Sequence, residues 1–125
     1  MTHLAGRFLK LTGLGHAVVG LVVFRVPLAA IVGNGVLNTV TDQFDRAAAF
    51  WFLLFSPVCF ALGQIVDHAA EQGDGKTLAI VGWHLLLIGV VGAAVMPISG
   101  FWVVIAIAPL VLHAARRPEV VVAPG

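Results

Sequence analysis

Charge is scarce in this chain. Of its 125 residues only 10% are Asp, Glu, Lys or Arg, while 60% are hydrophobic and the mean hydropathy is +1.04. Water-soluble domains carry about 25% charged and about 45–50% apolar residues. A chain this short has no core large enough to hide the surplus from water. A soluble globular protein is thereby excluded, and lipid is the solvent that fits. Cysteine is nearly missing too: Cys59 stands alone, so no intrachain disulfide can form. It sits in apolar sequence with no second thiol beside it, which favours an inert buried side chain over a redox or metal centre. The formal net charge is only +1, and no basic stretch interleaved with aromatics is present, so nothing points to nucleic acid.

What is present is a series of apolar runs separated by polar turns. A membrane span needs roughly 17–25 residues. The first covers about residues 7–24, with Lys10 and Arg25 placed to snorkel at its two ends. Arg7 and Lys10 before an apolar run also suit a secretory signal. Here, however, the run from Leu11 to Phe24 meets Arg25-Val26-Pro27 and not a small-residue cleavage site, so a retained span is expected. Pro27 should stop or redirect that helix. Residues 26–42 are too many for a simple helix–helix turn, and the mixture of Leu28, Ile31 and Val36 with Gly33, Asn34 and Asn38 reads as a short helical or re-entrant piece lying at the interface, not another span.

The second span is expected over about 46–66, with Asp42 or Asp45 as its N-cap and Pro57 freeing the carbonyl of Leu53. Gln72-Gly73-Asp74-Gly75 is a polar turn. A third span follows over about 77–95, a tight Met96–Gly100 connection, a fourth span over about 101–115, and a loose tail over 118–125. The expected fold is all-α: a four-helix transmembrane bundle with an interfacial or re-entrant segment between spans one and two, forming one integral membrane domain over 1–125. Arg7, Lys10, Lys76, Arg116 and Arg117 fall on one side and Arg25 and Arg46 on the other. That asymmetry places both termini in the cytoplasm and the protein in the cell's inner (plasma) membrane as a multi-pass chain.

Polar groups inside the spans are costly unless they find partners. Counting 1.5 Å per residue puts His16 roughly 13 Å, His84 roughly 10 Å and Gln64 roughly 5 Å from the cytoplasmic edge. They form one candidate buried cluster. Gly13, Ala17 and Gly20 share a side of span one that His16 borders, which lets a neighbouring helix approach closely. The plain reading of His16 and His84 is helix glue through a facing carbonyl or amide. The sharper reading is a haem held by both imidazoles, or a proton-transfer pair. No cofactor is expected on balance. No zinc site is expected, since no His-x-x-Glu-His or Cys-x-x-Cys spacing occurs. At the other end, Arg25, Asn38, Trp51, Ser99 and Trp102 outline a candidate shallow pocket for an amphipathic molecule, the tryptophans otherwise being ordinary interfacial anchors.

Several strings fit one pattern: Gly15-His16 with Gly20, Arg25-x-Pro27-Leu28, Phe50-Trp51-Phe52, Gly82-Trp83 and Met96-Pro97-x-Ser99-Gly100-Phe101-Trp102. Over about residues 5–115 the chain resembles a family of small bacterial four-span membrane proteins of unknown function. The resemblance implies the four-helix membrane architecture and carries no activity, substrate or catalytic residue with it.

Three classes of function compete. The favoured one is a small membrane protein that binds a lipid-like or apolar ligand, or supports a membrane partner or a second copy of itself. The alternative is a small membrane enzyme, an isomerase, cyclase or haem-linked oxidoreductase, using His16 or His84, or Arg25 with Asp42 or Asp45. Its catalytic residues cannot be named from the sequence. A proton-coupled transporter ranks last, because every acidic residue lies in a loop, at a helix end or in the tail.

Overall fold

A computed structural model describes residues 2–116 of the chain. The loose tail expected over 118–125, and Arg117 in the charge comparison, lie outside the described residues. Those described are all helical in their regular structure, in five helices: α1 (Thr2–Val23), α2 (Arg25–Gly33), α3 (Phe44–Glu71), α4 (Gly75–Val95) and α5 (Phe101–Ala115). α1, α3 and α4 are each long and apolar enough to cross a membrane, and α5 is a shorter apolar helix. At 1.5 Å per residue α5 extends roughly 22 Å, short of a hydrocarbon core of about 30 Å without its flanks. This is the composition of a helical membrane bundle.

Local chemistry sets the boundaries. Pro27 has no N–H to offer the carbonyl of Val23, and α1 ends at Val23. The chain turns at Phe24 and resumes as α2, where Pro27 sits in the first turn and its missing donor costs nothing. The segment after span one is therefore a nine-residue helix followed by turns. α3 starts at Phe44, two residues before the expected span, and the carbonyl of Gln43 accepts its first hydrogen bond, from Ala47 N–H. Gln43 thus holds the cap position that Asp42 or Asp45 was expected to fill. Asp45 is already in the first helical turn, and Asp42 lies outside with φ +64°.

Within the chain, contacts divide into two compact units, residues 10–61 and residues 1–9 with 62–125. In the latter, Ala5, Leu9, Val66, Leu78, Leu85, Ile107 and Val111 form a buried core. α4 and α5 are the closely packed pair, and glycine makes that possible. A Cβ on Gly89 would stand 3.1 Å from the Ile105 backbone nitrogen, and one on Gly82 would stand 3.2 Å from that of Leu112. Two helices can pack this closely in lipid because small residues let dispersion contacts form along their length.

In the unit of residues 10–61, α1 lies against α3 in the same manner. Gly13 faces the Ser56 carbonyl, and Gly20 faces Phe52 and Leu53. The expected small-residue side of span one is the side that meets α3.

The turn before α4 is capped by Asp74. Its Oδ1 accepts from the Thr77 N–H at 3.0 Å and its other oxygen from the Thr77 hydroxyl. The Thr77 hydroxyl and amide hydrogen bonds hold the Asp74 carboxyl below its ordinary pKa, with a smaller contribution from Lys76. A depressed carboxyl stabilises the fold fully above its unfolded-state pKa, and that contribution fades as pH falls through the folded-state value. Asp74→Ala is therefore expected to lower the thermal midpoint in detergent at pH 7, with the gap to wild type closing in strongly acidic buffer. A gap that is constant across that range would count against the cap.

Candidate functional site

Three polar neighbourhoods carry chemistry, and each lies within one unit. The first surrounds His16 on α1. Its ring stacks on Phe52 with centroids 3.8 Å apart and planes 14° from parallel, and meets Phe55 edge-on at 5.7 Å. Phe52 also touches Phe24, at 5.2 Å. The imidazole hydrogen-bonds the Phe52 backbone. Phe52 and Phe55 are three residues apart, so one face of α3 presents both. Ser56 follows on that helix, 6% exposed, with its hydroxyl unpartnered. Cys59 is buried one turn further along. The aromatic partners of His16 were not foreseen. The signal was the spacing of Phe52 and Phe55 opposite a glycine-lined helix side.

The second neighbourhood is the run from α2 to the start of α3. Residues 34–43 form consecutive turns, and every non-glycine residue with positive φ among those described falls there: Val36 at 68°, Asn38 at 55° and Asp42 at 64°. For Asn and Asp this conformation is tolerable. For β-branched Val36 it is strained, by about 1–3 kcal/mol. The turns are tied down locally. Thr39 Oγ1 donates to the Val36 carbonyl at 2.8 Å, Thr41 Oγ1 to Asn38 Oδ1 at 3.1 Å, and Arg46 Nη1 reaches from α3 to the Thr39 carbonyl at 2.9 Å. Folded back in this way, the run leaves an open groove of about 460 Å³ against the first turns of α3. Val40, Phe44, Phe50 and Trp51 give it apolar and aromatic walls, and Thr41 and Asp42 give it polar groups.

The third is the Met96–Gly100 connection. Ser99 Oγ donates to the Met96 carbonyl at 2.6 Å, and Trp102 Nε1–H to the Pro97 carbonyl at 2.8 Å. Both polar side chains are thus engaged in fastening their own turn.

Of the candidate pocket residues, Arg25, Asn38 and Trp51 belong to the unit of residues 10–61, where Trp51 lines the groove. Arg25 and Asn38 are exposed and are not among its walls. The charged side chain that lines this groove is Asp42 and not Arg25. Ser99 and Trp102 belong to the other unit, as do Gln64 and His84. Gln64 is exposed on α3. His84 is exposed on α4, and its Nδ1 lies 2.7 Å from the Ile80 carbonyl of the same helix. Among the described residues no three of His, Cys, Asp and Glu stand together as a metal site would require.

The model of a family described as "Family of unknown function (DUF6463)" matches residues 1–118. No curated protein matches the chain, and no solved structure matches it.

Proposed function

From the premise that this chain belongs to the DUF6463 family of unknown function, we propose that it is a multi-pass protein of the bacterial inner membrane that holds an amphipathic, lipid-like molecule in the groove at the start of α3. In this reading α1, α3, α4 and α5 cross the bilayer with both termini cytoplasmic, following the excess of Lys and Arg on that side. The groove then opens at the opposite surface. The observation that carries the reading is the groove itself, with the aromatic rings of Phe44, Phe50 and Trp51 around an apolar hollow rimmed by Thr41 and Asp42. Backbone strain gathered in 36–42 supports it, because strain persists in a surface loop where something is gained by holding one shape. The rings suit an acyl or prenyl chain. Asp42 and Thr41 suit a head that donates hydrogen bonds, a hydroxyl or an amine, more than an acidic one.

The test is to purify the protein in mild detergent, extract it and identify bound lipids by mass spectrometry. Wild type should carry one lipid class well above its share of the membrane. Trp51→Ala removes a wall and should weaken retention about tenfold, the cost of truncating an aromatic anchor in a binding site. A wild-type lipid profile that matches the bulk membrane would end the proposal.

A further inference from the structure

α4 turns Leu78, Gly82, Leu85, Gly89 and Ala93 inward. On its other side Ile80, His84, Leu87, Val91 and Ala94 are exposed. Their spacing of four, three, four and three is the seam of a heptad, and Trp83, 58% exposed, immediately precedes its second member, His84. An apolar seam gains nothing from leaving lipid, so the polar atoms on it decide what it does. There are two. The carbonyl of Ile80 can only accept, so His84 Nδ1 carries the proton of that 2.7 Å bond, and in the neutral ring Nε2 is a bare acceptor. The indole N–H of Trp83 is a donor with no acceptor among the described residues. Both lie roughly 12–14 Å along a helix of roughly 31 Å, far from either end. Tryptophan is ordinarily kept at the interface, and with α4 spanning the bilayer neither group would reach water.

A lone acceptor on this face would call for a foreign donor. A donor and an acceptor on consecutive residues are instead complementary to themselves under a two-fold axis, and insertion of two copies in the same orientation permits such an axis along the membrane normal. In a parallel heptad pair, a residue at the first core position packs beside the residue that precedes its counterpart. That sets His84 of one copy beside Trp83 of the other. We propose that the outward face of α4 is a contact between two copies of this chain, each Trp83 Nε1–H donating to His84 Nε2 of the other copy. The inference rests on α4 spanning the membrane.

In a Cys59→Ala background, Ile80→Cys, Leu87→Cys and Val91→Cys are oxidised in native membranes beside two exposed controls on other helices, Val18→Cys and Val103→Cys. Disulfide dimers are expected at the three seam positions and not at the controls. Trp83→Phe keeps the ring and removes the donor. Single-molecule photobleaching in vesicles should show its dimer dissociation constant raised about tenfold, as two interhelical hydrogen bonds are lost. Cross-links equal at seam and control positions, a dimer indifferent to Trp83→Phe, or pairing only with a different protein would each overturn the proposal. Alkaline carbonate separates the two readings: a protein it releases does not span, and both fall, whereas a resistant monomer removes the dimer alone.

Discussion

Gly13→Leu is expected to cost about 3 kcal/mol or more of helix-packing stability, while Gly15→Ala, two residues along the same helix, is expected to be neutral or mildly stabilising. A Cβ at Gly13 would lie 2.7 Å from the Ser56 carbonyl oxygen and 3.0 Å from the Phe60 nitrogen. Both are helix backbone and cannot swing aside as a side chain could. Overpacking of this kind costs about 1–3 kcal/mol for a methyl or two, and a leucine side chain has further to push. At Gly15 a Cβ would meet nothing within 4 Å. There the substitution only recovers the intrinsic preference of a helix for alanine over glycine, about 1 kcal/mol. Unfolding in mixed detergent micelles checks both. Equal effects at the two sites would mean that α1 and α3 do not meet along the Gly13 side.

The same contrast shows how much a hydropathy pattern reveals. The apolar runs were legible because lipid imposes a length and a composition on anything that crosses it. The polar turn at Gln72–Gly75 was legible because Gly73, at φ +67°, takes a conformation that costs glycine nothing. Proline chemistry made the stop after Val23 legible as well. What the pattern does not encode is the choice of partner. Within its span α4 is apolar on every side but for His84 and the indole N–H of Trp83, so hydropathy alone marks no inward face. The glycines Gly82, Gly89 and Gly92 betray which side meets α5.

The groove at the start of α3 has Trp51 alone in common with the pocket residues named from the sequence. Trp51 was named from its place near a helix start, and it does line the hollow. The remaining walls come from a loop that folds back on α3, and that fold depends on Val36 taking a positive φ. A β-branched residue is the last to suggest such a turn, so no sequence rule could have found it. Arg46 was read as a membrane-side cation. Its bond to the Thr39 carbonyl, which pins the loop, becomes visible only once the loop's course is known.

His16 poses the sharper energetic question, because two different interactions hold it, and substitution separates them. The ring stacks on Phe52 and abuts Phe55, and it hydrogen-bonds the Phe52 backbone. Interhelical hydrogen bonds in membranes average only about 0.6 kcal/mol, since the separated helices find other partners. An aromatic contact contributes about 0.5–1.5 kcal/mol, and truncating a packed ring adds the cost of the cavity it leaves. The ring should therefore outweigh the polar atom. His16→Phe, which keeps the stack and drops the hydrogen bond, is expected to lose about 1 kcal/mol. His16→Ala is expected to lose about 2–4 kcal/mol, measured by the same micellar unfolding. The order wild type, Phe, Ala marks a histidine retained mainly for its shape. Should Phe prove as damaging as Ala, the nitrogen matters more than the ring, and the neighbouring unpartnered hydroxyl of Ser56 would become the first place to look for the reason.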